Sequence, residues 1–150
     1  MRPQLRTAVA PLLAAVLALG LTSCGDPEKS YCSALSADQE MFAAMTDDTS
    51  GLALLKHRSA LHQLADKAPS DLSDEWQTFL GAVDAFAKTL QDLGVKPEEF
   101  VDGKPPANVS ASVQARIRDA ANELSSDDVV QAANGIEQQA KDVCKLQLGL

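Results

Sequence analysis

One apolar stripe in the middle of this 150-residue chain constrains its fold more than any other feature. Its members recur at alternating spacings of four and three, which places them on a single face of an α-helix. Ser70 can cap the start of this helix, and Gly94 can supply the left-handed residue at its end. A stripe of this kind is typical of a helix that buries one face in a core. It comprises Leu72, Trp76, Phe79, Val83, Phe86, Leu90 and Leu93.

Four shorter segments repeat the helical pattern on either side of this stripe. Ser30 and Ser110 precede two of them as N-caps, and acidic residues open the last, where the positive end of a helix favours them. No segment shows the alternation of a strand, so we expect an all-α fold, a small bundle of four to five helices. The four segments are Tyr31 to Met45, Leu52 to Lys67, Ala111 to Leu124 and Asp127 to Lys145.

The first two dozen residues have the layout of a targeting signal. Arg2 and Arg6 form a basic head, and an apolar stretch of about 14 residues follows from Ala8 to Leu21. A helix needs roughly 20 residues to cross a bilayer, so this stretch is short for a permanent anchor. The pattern predicts a cleaved secretory signal peptide.

The end of that stretch resembles the lipobox of bacterial lipoproteins, with Leu21, Thr22, Ser23 and Cys24 filling its four positions. The resemblance implies a diacylglyceryl group on the Cys24 thiol, cleavage before Cys24, and an extracytoplasmic protein anchored by lipid to the bacterial cell membrane. Two or more acyl chains give the stable attachment that one chain does not. The alternative is an ordinary secreted protein with a chance cysteine. The mature part is similar in composition to small helical lipoproteins of actinobacteria.

These features divide the chain into three parts. Residues 1–23 are expected to be a cleaved signal peptide, residues 24–29 the lipidated cysteine with a short tether, and residues 30–150 a single helical domain. A tether of five residues spans roughly 15 to 17 Å, so the domain would stay close to the membrane surface.

Lipidation of Cys24 would leave Cys32 and Cys144 as the remaining cysteines. Outside the cytoplasm such a pair usually forms a disulfide, although two free thiols are the alternative. The bridge requires the start of the first helix to meet the end of the last, so these helices must be antiparallel. Five strictly alternating helices would make them parallel. We therefore expect a crossover at residues 94–109, which can span roughly 50 Å.

The charge of the chain limits its partners. The formal charge is −8, and residues 1–23 contain two arginines and no acid, so the mature chain is more negative still. Such a surface repels nucleic acid, which we exclude as a partner. The expected partners are the membrane, through Cys24, and either an envelope protein or a small apolar ligand.

No catalytic or metal-binding pattern is evident in the sequence. His57 and His62 are five residues apart, which does not place two imidazoles side by side on a helix. Glu98, Glu99 and Asp102 lack the spacing of a calcium loop. We therefore expect no catalytic residues, no metal site and no cofactor, and the chain is not expected to be an enzyme.

A binding or interaction module of the cell envelope is the function that fits these features best. The alternative is a carrier that holds a small apolar ligand between its helices, in a cavity of several hundred cubic ångströms. Its expected lining is Phe42, Trp76, Phe79 and Phe86.

Overall fold

The computed structural model describes residues 26–48, residue 50 and residues 52–150, and these form a bundle of six α-helices. The predicted signal peptide and the lipobox-like residues Leu21 to Cys24 lie outside the described residues. A short 3₁₀ turn precedes α4, and a π-helical turn, Ala140–Cys144, continues α6. The all-α bundle is confirmed. Its helices are α1 Pro27–Ala37, α2 Gln39–Asp47, α3 Ala53–Ala65, α4 Ser73–Asp92, α5 Ala111–Glu123 and α6 Asp127–Gln139.

The first predicted helix is divided at Asp38 into α1 and α2. The Asp38 N–H donates to the Ala34 carbonyl at 3.1 Å, and the Asp38 carbonyl accepts from the Phe42 N–H at 3.1 Å. Asp38 itself departs from helical geometry, with φ −98° and ψ 13°. Aspartate is a poor residue for a helix interior because its side chain competes for backbone hydrogen bonds. The two helices therefore follow one another with a change of geometry between them.

Helix α1 begins four residues earlier than the sequence pattern predicted. The Asp26 side chain caps it by accepting a hydrogen bond from the Glu28 N–H at 3.2 Å, and Pro27 occupies the first helical turn. Proline suits this position because its fixed φ is helical and no N–H is needed there. Residues 27–29, assigned to the tether by sequence, are thus part of α1.

Helix α4 lies at the centre of the bundle, as its stripe predicted. Its buried face carries Trp76, Phe79, Val83, Phe86 and Leu90 and contacts α3, α5 and α6. Two core clusters result. The first surrounds the start of α4 and includes residues of α1, α2, α3 and α6, whereas the second surrounds its end and includes residues of α5.

Helices α5 and α6 follow one another along α4 in the opposite direction. Ile117, in the middle of α5, belongs to the second cluster with Phe86 and Leu90. Farther along the chain, Gly135 of α6 lies against Glu75 in the first turn of α4. Two short helices in succession therefore cover the length of the single long one.

The connection at residues 94–109 takes a different route from the expected crossover. Val95 and Val109 both belong to the second cluster, and the Gly103 backbone lies beside that of Ser50. The connection thus stays at the end of α4 and does not climb back along it. No return is needed, because α5 and α6 run in one direction and together bring the chain to the other end of the bundle.

A disulfide between Cys32 and Cys144 joins α1 to the π-helical turn after α6, with 5.1 Å between the two Cα atoms. The predicted pairing and the predicted meeting of the first and last helices are confirmed. The bridge closes a loop with a sequence separation of 112 residues. In the chain-entropy model, a loop of this length stabilises a domain by roughly 4 to 5 kcal/mol.

Replacing both bridge cysteines by serine, Cys32→Ser with Cys144→Ser, is expected to lower the free energy of unfolding by about 2–5 kcal/mol, because the unfolded chain loses its largest constraint. Urea denaturation followed by circular dichroism measures the change. Ser33→Ala, at an exposed position beside the bridge, serves as the control and should change the unfolding free energy by less than about 0.5 kcal/mol. A double variant as stable as the wild type would show that the bridge contributes nothing.

Candidate functional site

An apolar cleft with a volume of about 310 Å³ opens on one side of the bundle. It forms where the end of α2 and the start of α3 face the junction between α5 and α6. Phe79 of α4 forms the floor of the cleft, and this residue is 4% exposed. The other walls include Met45, Leu54, Leu124, Val129 and Ala133.

The rim of the cleft is open to solvent. Val130 lies on this rim with 46% of its surface exposed, which is unusual among the large apolar residues of the described chain. Asn134 is the one polar side chain among the described lining residues. The side chains of the cleft therefore offer mainly apolar contact, which suits an apolar group.

The predicted aromatic lining is largely core. Phe42, Trp76, Phe79 and Phe86 are between 2% and 4% exposed. Of these four, Phe79 alone reaches the cleft. The sequence stripe identified the buried face of α4 but could not distinguish the ring that borders a cleft from rings that fill the interior.

A buried hydrogen bond connects Trp76 to α1. The Trp76 indole N–H donates to the Tyr31 hydroxyl at 3.0 Å, and the Trp76 ring meets that of Phe79 edge to face with centroids 6.1 Å apart. Burial raises the pKa of Tyr31 to about 12, although the hydrogen bond from Trp76 acts in the opposite direction. Tyr31 is therefore a neutral structural group near neutral pH.

The last residues of the chain form part of the cleft wall, which sequence reasoning did not predict. Leu148 is buried in the first core cluster, and Gly149 borders the cleft. The Glu137 carboxylate accepts the Leu148 N–H at 3.1 Å and the Gly149 N–H at 2.9 Å. Gly149 has φ +73°, and a Cβ there would lie 2.7 Å from Thr46 Oγ1, so glycine is required.

We expect Glu137→Ala to release residues 146–150 and to lower the free energy of unfolding by about 1–3 kcal/mol, because two backbone N–H groups lose a charged acceptor. Hydrogen exchange of the Leu148 and Gly149 amides, measured by NMR, should become faster in this variant. Gln138→Ala, which removes an exposed side chain from the same helix, is the matched control. Unchanged exchange at both amides would contradict the role of Glu137.

His62 belongs to an ion-pair cluster between α3 and α4. Asp84 Oδ1 lies 2.6 Å from Arg58 Nε and 3.0 Å from His62 Nε2. Partial burial raises the pKa of Asp84, but hydrogen bonds and charge interactions with His62 and Arg58 outweigh it and hold the pKa below its usual value. Sequence spacing did not predict this contact, since Asp84 is 22 positions away from His62.

Glu99 and Asp102 have local structural roles in the long connection. Glu99 Oε2 accepts the Lys96 N–H at 2.7 Å. Asp102 and Gly103 both have positive φ, as a two-residue hairpin turn between Val101 and Lys104 requires. Within residues 26–48, 50 and 52–150, no three potential ligand residues come close enough to hold a metal ion.

Comparison with known proteins identified no relative of this chain. No family model matches the chain, and no curated protein or solved structure is detectably similar to it. Across the part of the chain that the structure describes, no helix combines the length and apolar character needed to span a bilayer.

Proposed function

We propose that this chain is a lipid-anchored bacterial lipoprotein whose helical bundle is a non-catalytic binding module of the cell envelope. The lipobox at residues 21–24 supports the anchor, and the disulfide between Cys32 and Cys144 suits an oxidising compartment outside the cytoplasm. The apolar cleft is the observation that carries the binding role, because it combines an accessible rim with an apolar interior.

The early start of α1 gives the anchor a geometric consequence. Pro27 is three residues after Cys24, a distance of at most about 11 Å along an extended chain. A lipidated Cys24 would hold the start of α1 against the membrane surface, together with the end of α6 that the disulfide joins to it.

The cleft would open on the side of the bundle, beyond the end that is held at the membrane. Met45, in the cleft wall, is 18 positions beyond Pro27, which corresponds to at most about 27 Å along a helical path, because the chain changes geometry at Asp38. In the proposed arrangement the membrane carries the bundle, and the cleft remains accessible to molecules in the space beyond the lipid headgroups.

A carrier of a small apolar ligand is the second candidate. The cleft volume of about 310 Å³ favours it, since pockets for small ligands begin near 300 Å³. The ligand would then lie beside Phe79 in the cleft and not between the four aromatic rings of the core. A carrier and a protein-binding module differ in what they recognise, and direct binding measurements separate them.

Intact mass spectrometry of the full chain, expressed in a bacterium and extracted from its membranes, tests the anchor. The expected species begins at Cys24 and carries the mass of a diacylglyceryl group. Cys24→Ser should remove this mass and leave the signal peptide attached, whereas Cys32→Ser, the control, should be lipidated normally. An unmodified Cys24, or a mature start at another residue, would refute the proposed anchor.

A further inference from the structure

The chain segments that line the cleft carry an excess of acidic residues. Four exposed acids lie within two positions of residues that line it, and they come from three separate segments of the chain. Lys56 is the one basic residue within two positions of these lining residues. Its ammonium group is 2.6 Å from Asp48 Oδ2 and is therefore already paired. The four acids are Asp47, Glu123, Asp127 and Asp128.

An apolar cleft between acidic chain segments indicates which chemical groups would bind there. Apolar side chains gain free energy by entering the cleft, and positive groups beside them are attracted by the surrounding carboxylates. The volume of about 310 Å³ is at the lower limit for a pocket that encloses a whole small molecule, but it is sufficient for a few apolar side chains. Exposure of Val130 on the rim extends the apolar contact beyond the cleft itself.

We propose that the cleft receives leucine-like side chains from a lysine- or arginine-rich segment of a partner protein. This inference rests on the proposed function and names the kind of partner that the binding module recognises. Apolar groups give the affinity, and the basic residues give selectivity and a faster encounter, which salt weakens by screening.

The probe for this proposal is a fluorescein-labelled peptide of about 14 residues with leucines at helical i, i+3, i+4 and i+7 positions and lysines elsewhere. The peptide is titrated into the chain in the form that the expressing bacterium produces from the full-length sequence. This chain is held in phosphatidylcholine nanodiscs, and empty nanodiscs serve as the blank. Two matched peptides replace either the lysines by glutamine or the leucines by serine. Both should bind at least about tenfold more weakly.

Two sets of variants locate the binding site. Ala133→Leu fills the cleft and is expected to weaken peptide binding about tenfold. Asp127→Asn with Asp128→Asn should weaken it about three- to tenfold without filling the cleft. Asp71→Asn with Asp74→Asn makes the same charge change at exposed acids before and within the first turn of α4, and should alter the affinity less than twofold.

Methionine methyl NMR gives an independent reading of the site in the wild-type chain. The Met45 methyl lies in the cleft wall, whereas Met41, one turn earlier in α2, packs against the core. The peptide should shift the Met45 signal and leave the Met41 signal unchanged.

Several outcomes would overturn the proposal. Binding that leaves Met45 unshifted would place the peptide elsewhere, and equal binding of the glutamine peptide would remove the role of charge. Equal binding of the serine peptide would mean that the attraction is electrostatic alone. The mass of the same preparation is measured first, so failure of the anchor and failure of the cleft are separate results.

Discussion

Burial of one face of α4 is the constraint on which the rest of the structure depends. A 20-residue helix with six buried apolar residues needs cover along about 30 Å, and the shorter helices on either side provide that cover. Each large side chain removed from water contributes roughly 1.5–3 kcal/mol. The polar atom of the largest one, the Trp76 indole N–H, is satisfied by Tyr31 of α1, so the central helix and the first helix share one core.

The cleft follows from how that cover is assembled. Helices α5 and α6 meet at residues 124–126, midway along α4, and a junction of two helices packs less completely than a continuous one. Phe79 borders the resulting gap, and the chain segment held by Glu137 closes one side of it. The disulfide fixes the end of the bundle at which we propose the membrane to be, whereas the cleft opens on the side of the bundle.

Much of this fold could be predicted from the sequence, because the apolar residues of α4 and of the flanking helices recur with the period of an α-helix. The pairing of Cys32 with Cys144 was also predictable once Cys24 was assigned to the lipobox. The division at Asp38, the route of residues 94–109 and the contact of His62 with Asp84 depend on packing between distant segments, which periodicity does not encode. The position of the cleft was missed for the same reason: Trp76, Phe79 and Phe86 share one pattern, and the neighbours that α2, α5 and α6 supply decide which of these rings borders the cleft.

Anchoring through Cys24, with the cleft held away from the bilayer, is the central claim of this account. Paramagnetic relaxation of NMR signals by nitroxide-headgroup lipids, in nanodiscs that carry the full chain, tests both parts at once. The account predicts strong broadening of amide signals from residues 27–31 and 141–145, and little effect on the Met45 methyl and on Val129. Equal broadening of these two sets of signals, or stronger broadening of the Met45 and Val129 signals, would contradict it.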